Sequence, residues 1–229
     1  MTAATAAAAT SIKICCIASV AEAHLALAAG ANALGLVSQM PSGPGVIEEQ
    51  LIAQIAGAIA ARTFLLTSLQ DATSIVAQHR RCRTSTLQLV DALPDGAHAQ
   101  LRRELPGVEL VQVVHVVDDA SIDAAVRAAP YVDALLLDSG NPQLRIKELG
   151  GTGRTHNWDL SAAIVAAVRV PVYLAGGLNA ENVAHAISRV RPFGVDVCSG
   201  VRAHGRLDAG KLARFVAAVR NFPDSEIGN

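Results

Sequence analysis

The chain reads as α/β, a single (β/α)8 barrel, and three observations predict it. Short β-branched or Leu-rich runs alternate with longer Ala-rich helical patterns from Ser11 to about Arg220, an alternation that calls for parallel strands joined by crossover helices. Eight such pairs can be counted, the number that closes a barrel. Three glycine-bearing turns, Gly150-Gly151-Thr152-Gly153-Arg154, Ala175-Gly176-Gly177-Leu178 and Cys198-Ser199-Gly200-Val201, follow late in the chain. At consecutive strand ends they describe a cradle of backbone N–H groups for a phosphate.

The predicted strands are Ile12–Ile17, Ala33–Val37, Thr63–Thr67, Thr86–Leu89, Leu110–His115, Ala134–Leu137, Val172–Leu174 and Val195–Cys198. Helical patterns lie between them, near Ser19–Ala29, Val46–Ala61, Asp71–Arg80, Ala97–Leu105, Asp118–Ala128, Leu160–Val168, Glu181–Val190 and Ala209–Val219. Gly30 is placed to cap the first helix at its C-terminus, and Ser19 and Asn179 to cap at N-termini. An open doubly wound sheet would need G-x-G-x-x-G after the first strand; that turn is Cys15-Cys16-Ile17-Ala18-Ser19. The longest connection, Asp138 to Trp158, exceeds the usual loop length and predicts a lid, with Arg145, Lys147 and Arg154 on it.

With 229 residues, 51% of them hydrophobic, the chain can bury one sizeable core. Residues 11–221 are read as the barrel domain, residues 1–10 as a disordered tail and residues 222–229 as a second tail. The 19 Lys+Arg against 20 Asp+Glu and the 3% aromatic content give no basic surface and no stacking platform, which argues against nucleic acid. No apolar run is long enough for a membrane span, and the Ala/Thr start lacks a signal-peptide pattern. The four cysteines show neither C-x-x-C pairing nor zinc-finger spacing, so no metal is expected, and free thiols suit a cytoplasmic setting. A monomer and a homodimer are both compatible with the sequence.

In a barrel of this kind the active site lies at the carboxyl ends of the strands. Cys15 and Asp138 fall there. Strand alternation puts Lys13, Cys15 and Ile17 on one face and Ile14 and Cys16 on the other, so one cysteine of the pair is expected to face the mouth. Cys15 is chosen because Lys13 is better accommodated among polar barrel layers, opposite Asp196 on strand eight. A buried structural cysteine, and an N-cap or Arg-paired aspartate, are the alternative readings of Cys15 and Asp138.

Lys13-Ile14-Cys15, Leu135-Leu136-Leu137-Asp138-Ser139, Gly150 to Thr155, Leu174 to Asn179 with Glu181-Asn182-Val183, and Gly194 to Val201 together resemble the phosphoribosylanthranilate isomerase family, from about residue 12 to 220. The resemblance implies an Amadori rearrangement of N-(5-phosphoribosyl)anthranilate to 1-(2-carboxyphenylamino)-1-deoxyribulose 5-phosphate in tryptophan biosynthesis, with no cofactor. It implies Cys15 as general base and Asp138 as general acid. The phosphate would lie against Gly151, Thr152, Gly153, Gly176, Gly177, Ser199 and Gly200, with Lys13, His115, Arg154 and Asp196 as further substrate-site candidates. His115 reads equally as a hydrogen-bonded barrel histidine.

The match departs in three places. Lys-x-Cys-Gly becomes Lys13-Ile14-Cys15-Cys16, with a side chain where glycine would permit a left-handed backbone. The family's Lys-Ser-Pro-Arg becomes Pro41-Ser42-Gly43-Pro44, which removes an arginine expected at the anthranilate end, and the strand-four ending lacks the family's His-Gly. A paralogue acting on another phosphorylated aminosugar, and a non-catalytic phosphosugar-binding module, stay open on these grounds.

Overall fold

The computed structural model describes residues 9–151 and 153–222. Residues 1–8, Thr152 and residues 223–229, which include most of both expected tails, lie outside them. Eight parallel strands close in chain order: β1 (Ser11–Ile14), β2 (Ala33–Val37), β3 (Arg62–Thr67), β4 (Thr86–Leu89), β5 (Glu109–His115), β6 (Ala134–Asp138), β7 (Val172–Leu174) and β8 (Gly194–Val197). The seam pairs Ser11 with Gly194 through Ile14 with Val197. Around this TIM barrel run α1 (Val20–Ala28), α2 (Glu49–Ala58), α3 (Ala72–Cys82), α4 (Ala97–Glu104), α5 (Ala120–Ala128), α6 (Trp158–Ala167), α7 (Val183–Val190) and α8 (Ala209–Arg220).

Alternation along the strands divides the buried residues into two cores. Ile12, Ile14, Leu34, Leu36 and Leu65 face the helices. Ala33, Phe64, Val111, Ala134, Leu136 and Tyr173 fill the barrel. Tyr173 closes the amino-terminal end: its ring meets Phe64 edge to face at 5.9 Å, and its hydroxyl accepts from Arg62 at 3.2 Å. Gly194 makes room for that ring, because a Cβ there would lie 2.7 Å from it. Filled below, the barrel opens only at the carboxyl ends of its strands.

Three of the boundary differences from the sequence pattern have a local backbone cause. Strand β1 stops at Ile14, since Cys16 turns left-handed at φ +62; the alternation therefore fails beyond Cys15, and Ile17 joins the helix-facing core. Helix α2 begins at Glu49 because Gly45 sits at φ +82 and Val46 forms an extended bridge with Val37. Helix α7 begins at Val183, and Asn179 instead holds the turn before it, accepting from the amides of Glu181 and Asn182. Ser19 caps α1 as expected, accepting from the Glu22 amide at 3.1 Å, and Glu22 reaches back to the Ala18 amide at 3.0 Å.

Candidate active site

Beneath the barrel mouth lies an ion pair. Lys13 Nζ lies 2.9 Å from Asp196 Oδ2, with the lysine fully buried and 5.2 Å from the Phe64 ring centroid. Burial works against the ammonium, but Asp196 and the neighbouring thiols of Cys15 and Cys16 outweigh it, so the Lys13 pKa is raised. Burial also lifts the Asp196 carboxyl, and Asp138 adds to that rise. Its starting point is so far below that of lysine that the proton stays on Nζ.

Directly above, Cys15 faces the cavity. Gly35 makes this possible: a Cβ there would meet Cys15 Sγ at 2.8 Å and Lys13 Nζ at 3.0 Å. Cys16 and Cys198 line the same cavity, so both cysteines of the pair reach the mouth. The expectation of one fails because the left-handed turn at Cys16 ends the strand period. Hydrogen bonds with Cys15 and Cys198, together with burial, push the Cys16 thiol up. The bond from Cys16 lowers Cys198, and Arg202 assists. Arg202 also donates to the carbonyls of Cys15 and Cys16 and pairs with Glu22, fixing the turn from behind.

Asp138 ends β6 on the same cavity, 8% exposed, with Oδ1 accepting from the Ser139 amide at 2.7 Å. Gly150 of the long loop packs against it, since a Cβ there would lie 2.8 Å from Oδ2. The described parts of that loop, residues 139–151 and 153–157, lie across the mouth. Ser42 donates to the Lys147 carbonyl at 2.6 Å, Lys147 pairs with Asp91, and Pro44 lies against Gly151. Beside it His156 bonds Ser161 Oγ at 2.7 Å; burial lowers its pKa, with Asp138 opposing only in part.

At the β7–β8 side the cavity is lined by Gly153, Gly176, Gly177 and Ser199. Their amides meet no acceptor among the described residues. Gly176 and Gly177 have φ of +82 and +62, and a Cβ on Gly177 would strike the Arg154 backbone at 2.6 Å. A small anion fits such unobstructed donors. Of the remaining predicted cradle residues, Gly151 lines the cavity, Gly200 sits behind Ser199 against the Leu178 carbonyl, and Thr152 lies outside the described residues.

Of the four further substrate-site candidates Asp196 lines the cavity, Lys13 lies beneath it, and two others stand away from its wall. His115 Nε2 bonds the Val90 carbonyl at 3.0 Å beneath Gly140, and the Arg154 side chain pairs with Glu148 and is 61% exposed. Gln88 was missed: it is 3% exposed, lines the cavity, and has its Oε1 buried without a hydrogen-bond partner among the described residues. The period of two along β4, which turns Leu87 and Leu89 outward, was the signal for it. No group of three metal-ligating side chains is present among the described residues.

The comparisons with known proteins identify the family and the fold. The family model of N-(5'phosphoribosyl)anthranilate (PRA) isomerase matches residues 12–218. The N-(5'-phosphoribosyl)anthranilate isomerase of Methanocella arvoryzae is 33% identical over 92% of this chain and 98% of its own, and that of Haloferax volcanii 36% identical over 92% and 93%. The solved phosphoribosylanthranilate isomerase of Thermotoga maritima superposes with a TM-score of 0.79 at 26% identity, covering 92% of this chain and 98% of that one. The enzyme from Pyrococcus furiosus gives 0.78 at 26%, covering 93% and 99%. The chain belongs to the phosphoribosylanthranilate isomerase family.

Proposed function

We propose that this chain converts N-(5-phosphoribosyl)anthranilate to its 1-amino-1-deoxyribulose phosphate, with Asp138 as general acid and Cys15 as general base. The observation that carries it is a thiol and a carboxyl on one cavity with unobstructed backbone amides at one end. The phosphate is held at Gly153, Gly176, Gly177 and Ser199, which leaves the furanose between β1 and β6.

Asp138 delivers a proton to the ring oxygen, the C1–O bond breaks, and an iminium forms. Cys15 as thiolate takes the C2 proton to give an enolamine. Loss of the O2 proton and protonation at C1 then give the ketose, so protons move and nothing is consumed. The loop over Asp138 limits water at the acid. Residues 11–221 form one catalytic domain in this reading, with lining residues that run from Cys15 to Ser199. A monomer and a homodimer are both compatible with this reading, and four unpaired cysteines suit a cytoplasmic setting.

Cys15→Ser and Asp138→Asn test the assignment. Each is expected to lower kcat by about 10²–10⁴-fold while phosphate binding persists, and neither should rescue a tryptophan-requiring strain that lacks this isomerase. Undiminished turnover in either variant removes that residue's role.

A further inference from the structure

The cavity has a second end whose ligand the phosphate cradle does not explain. In a closed ring of eight strands, β3 and β4 stand across from β7 and β8, so a ligand anchored at Gly176 and Gly177 extends towards Met40, Pro44, Leu66, Gln88 and Leu149. These are apolar walls with one carboxamide, and the Gln88 oxygen, buried and unpartnered among the described residues, calls for a donor from a ligand. An aromatic acid would fit the walls, but its carboxylate requires a cation, because a buried anion is stable only when paired.

The cations near the mouth differ in availability. Lys13 lies beneath the floor, fully buried against Asp196 on the β1–β8 side. Arg202 is behind the Cys15–Cys16 turn with Glu22. Arg145 is exposed, and Arg154 pairs outward with Glu148. Lys147 does not itself line the cavity but is anchored beside its far end: its carbonyl accepts from Ser42, a lining residue, its ammonium pairs with Asp91 two residues past β4, and Leu149, two residues on, lines the cavity.

We infer that Lys147 is the residue that recognises the aryl carboxylate of the substrate, an assignment that rests on the isomerase reading above. An ammonium carries three donors, so Lys147 can keep Asp91 while it takes a ligand oxygen. Asp91 neutralises it in the free protein and holds it against β4. Because the same residue is bonded to the β2 loop, binding the carboxylate also fastens the loop over the site.

The test uses the purified full chain with two probes, 1-(2-carboxyphenylamino)-1-deoxyribitol 5-phosphate and its phenylamino counterpart without the carboxylate, their affinities measured by calorimetry. The wild-type protein is expected to prefer the carboxylated probe by tenfold or more, Lys147→Gln by less than twofold, and Lys147→Arg by an amount close to wild type. In steady-state assays Lys147→Gln should raise KM about tenfold with kcat within threefold. A Lys147→Gln variant that weakens both probes equally has only disturbed the loop, and this result overturns the inference, as does a wild-type protein with no preference. If wild type binds with the expected preference yet turns over no phosphoribosylanthranilate, the isomerase reading fails and the carboxylate assignment stands.

Discussion

Gly35 decides where the reactive thiol points. Its missing side chain is filled by Cys15 Sγ and Lys13 Nζ, and a methyl group there would also press on Cys15 Cα at 3.1 Å. Gly35→Ala is therefore expected to cost about 1–3 kcal/mol, the usual range for overpacking, and to lower kcat more than tenfold, as urea unfolding and an initial-rate assay would show. Wild-type kcat in a folded Gly35→Ala protein would mean that the thiol tolerates displacement. Cys16 poses the complementary case. A non-glycine residue at φ +62 carries about 1–2 kcal/mol of steric cost, which Cys16→Gly removes while forfeiting the buried thiol contacts. Cys16→Val cannot recover it, because a β-branched side chain suits that backbone poorly and Gly45 stands against the Cys16 Cβ. We expect Cys16→Val to lose about 2 kcal/mol or more of stability and Cys16→Gly to stay near wild type, with the two unfolding midpoints as the measure.

The β1–α1 turn depends on a contact 180 residues away in sequence, that between Glu22 and Arg202. Burial pushes the Glu22 carboxyl up, but hydrogen bonds from Arg202 and from the amides of Leu207 and Ala18 outweigh it, so the net pKa is below the ordinary carboxylate value. A carboxyl depressed on folding adds stability that is complete above its unfolded pKa of about 4.3 and is lost as pH falls through the folded value. Glu22→Gln is thus expected to be less stable than wild type by about 1.5–3 kcal/mol at pH 7, the gap narrowing below pH 4; an equal gap at both pH values would show that the charge is irrelevant. This contact also marks what the sequence does and does not disclose. All eight strands were legible from their β-branched runs, because burial on both faces leaves an uninterrupted apolar signal, and Lys13 opposite Asp196 followed from strand period and the neighbouring of strands one and eight. The helix starts at Glu49 and Val183 were obscured by local turn bonding at Gly45 and Asn179. Arg202 with Glu22 and Lys147 with Asp91 join distant loops through long side chains, which leave no periodic trace.

Across the whole molecule, acid sensitivity should begin well above the carboxylate range. Three histidines in different parts of the barrel are held towards their neutral forms. Burial lowers His79 against a hydrogen bond to the Thr84 carbonyl; it lowers His98, with Gln112 opposing and Arg102 assisting; and it lowers His156, with Asp138 opposing. In the unfolded chain each regains a pKa of about 6.5. The unfolded state therefore binds more protons as pH falls past that value, and since stability rises with pH wherever the unfolded state holds more protons, it must fall on acidification. The contribution is complete above about pH 7, declines from there, and levels off once the folded histidines protonate too. Depressed carboxyls such as Glu22 and Glu49 are fully ionised in both states over the upper part of this window, so they add nothing to the slope there. Urea midpoints measured at half-unit steps from pH 7.5 to 5.0 should decrease steadily, and His79→Gln, which leaves the active site untouched, should flatten part of that decrease. A midpoint constant over the interval would mean that the three rings accept protons in the folded barrel as readily as in water.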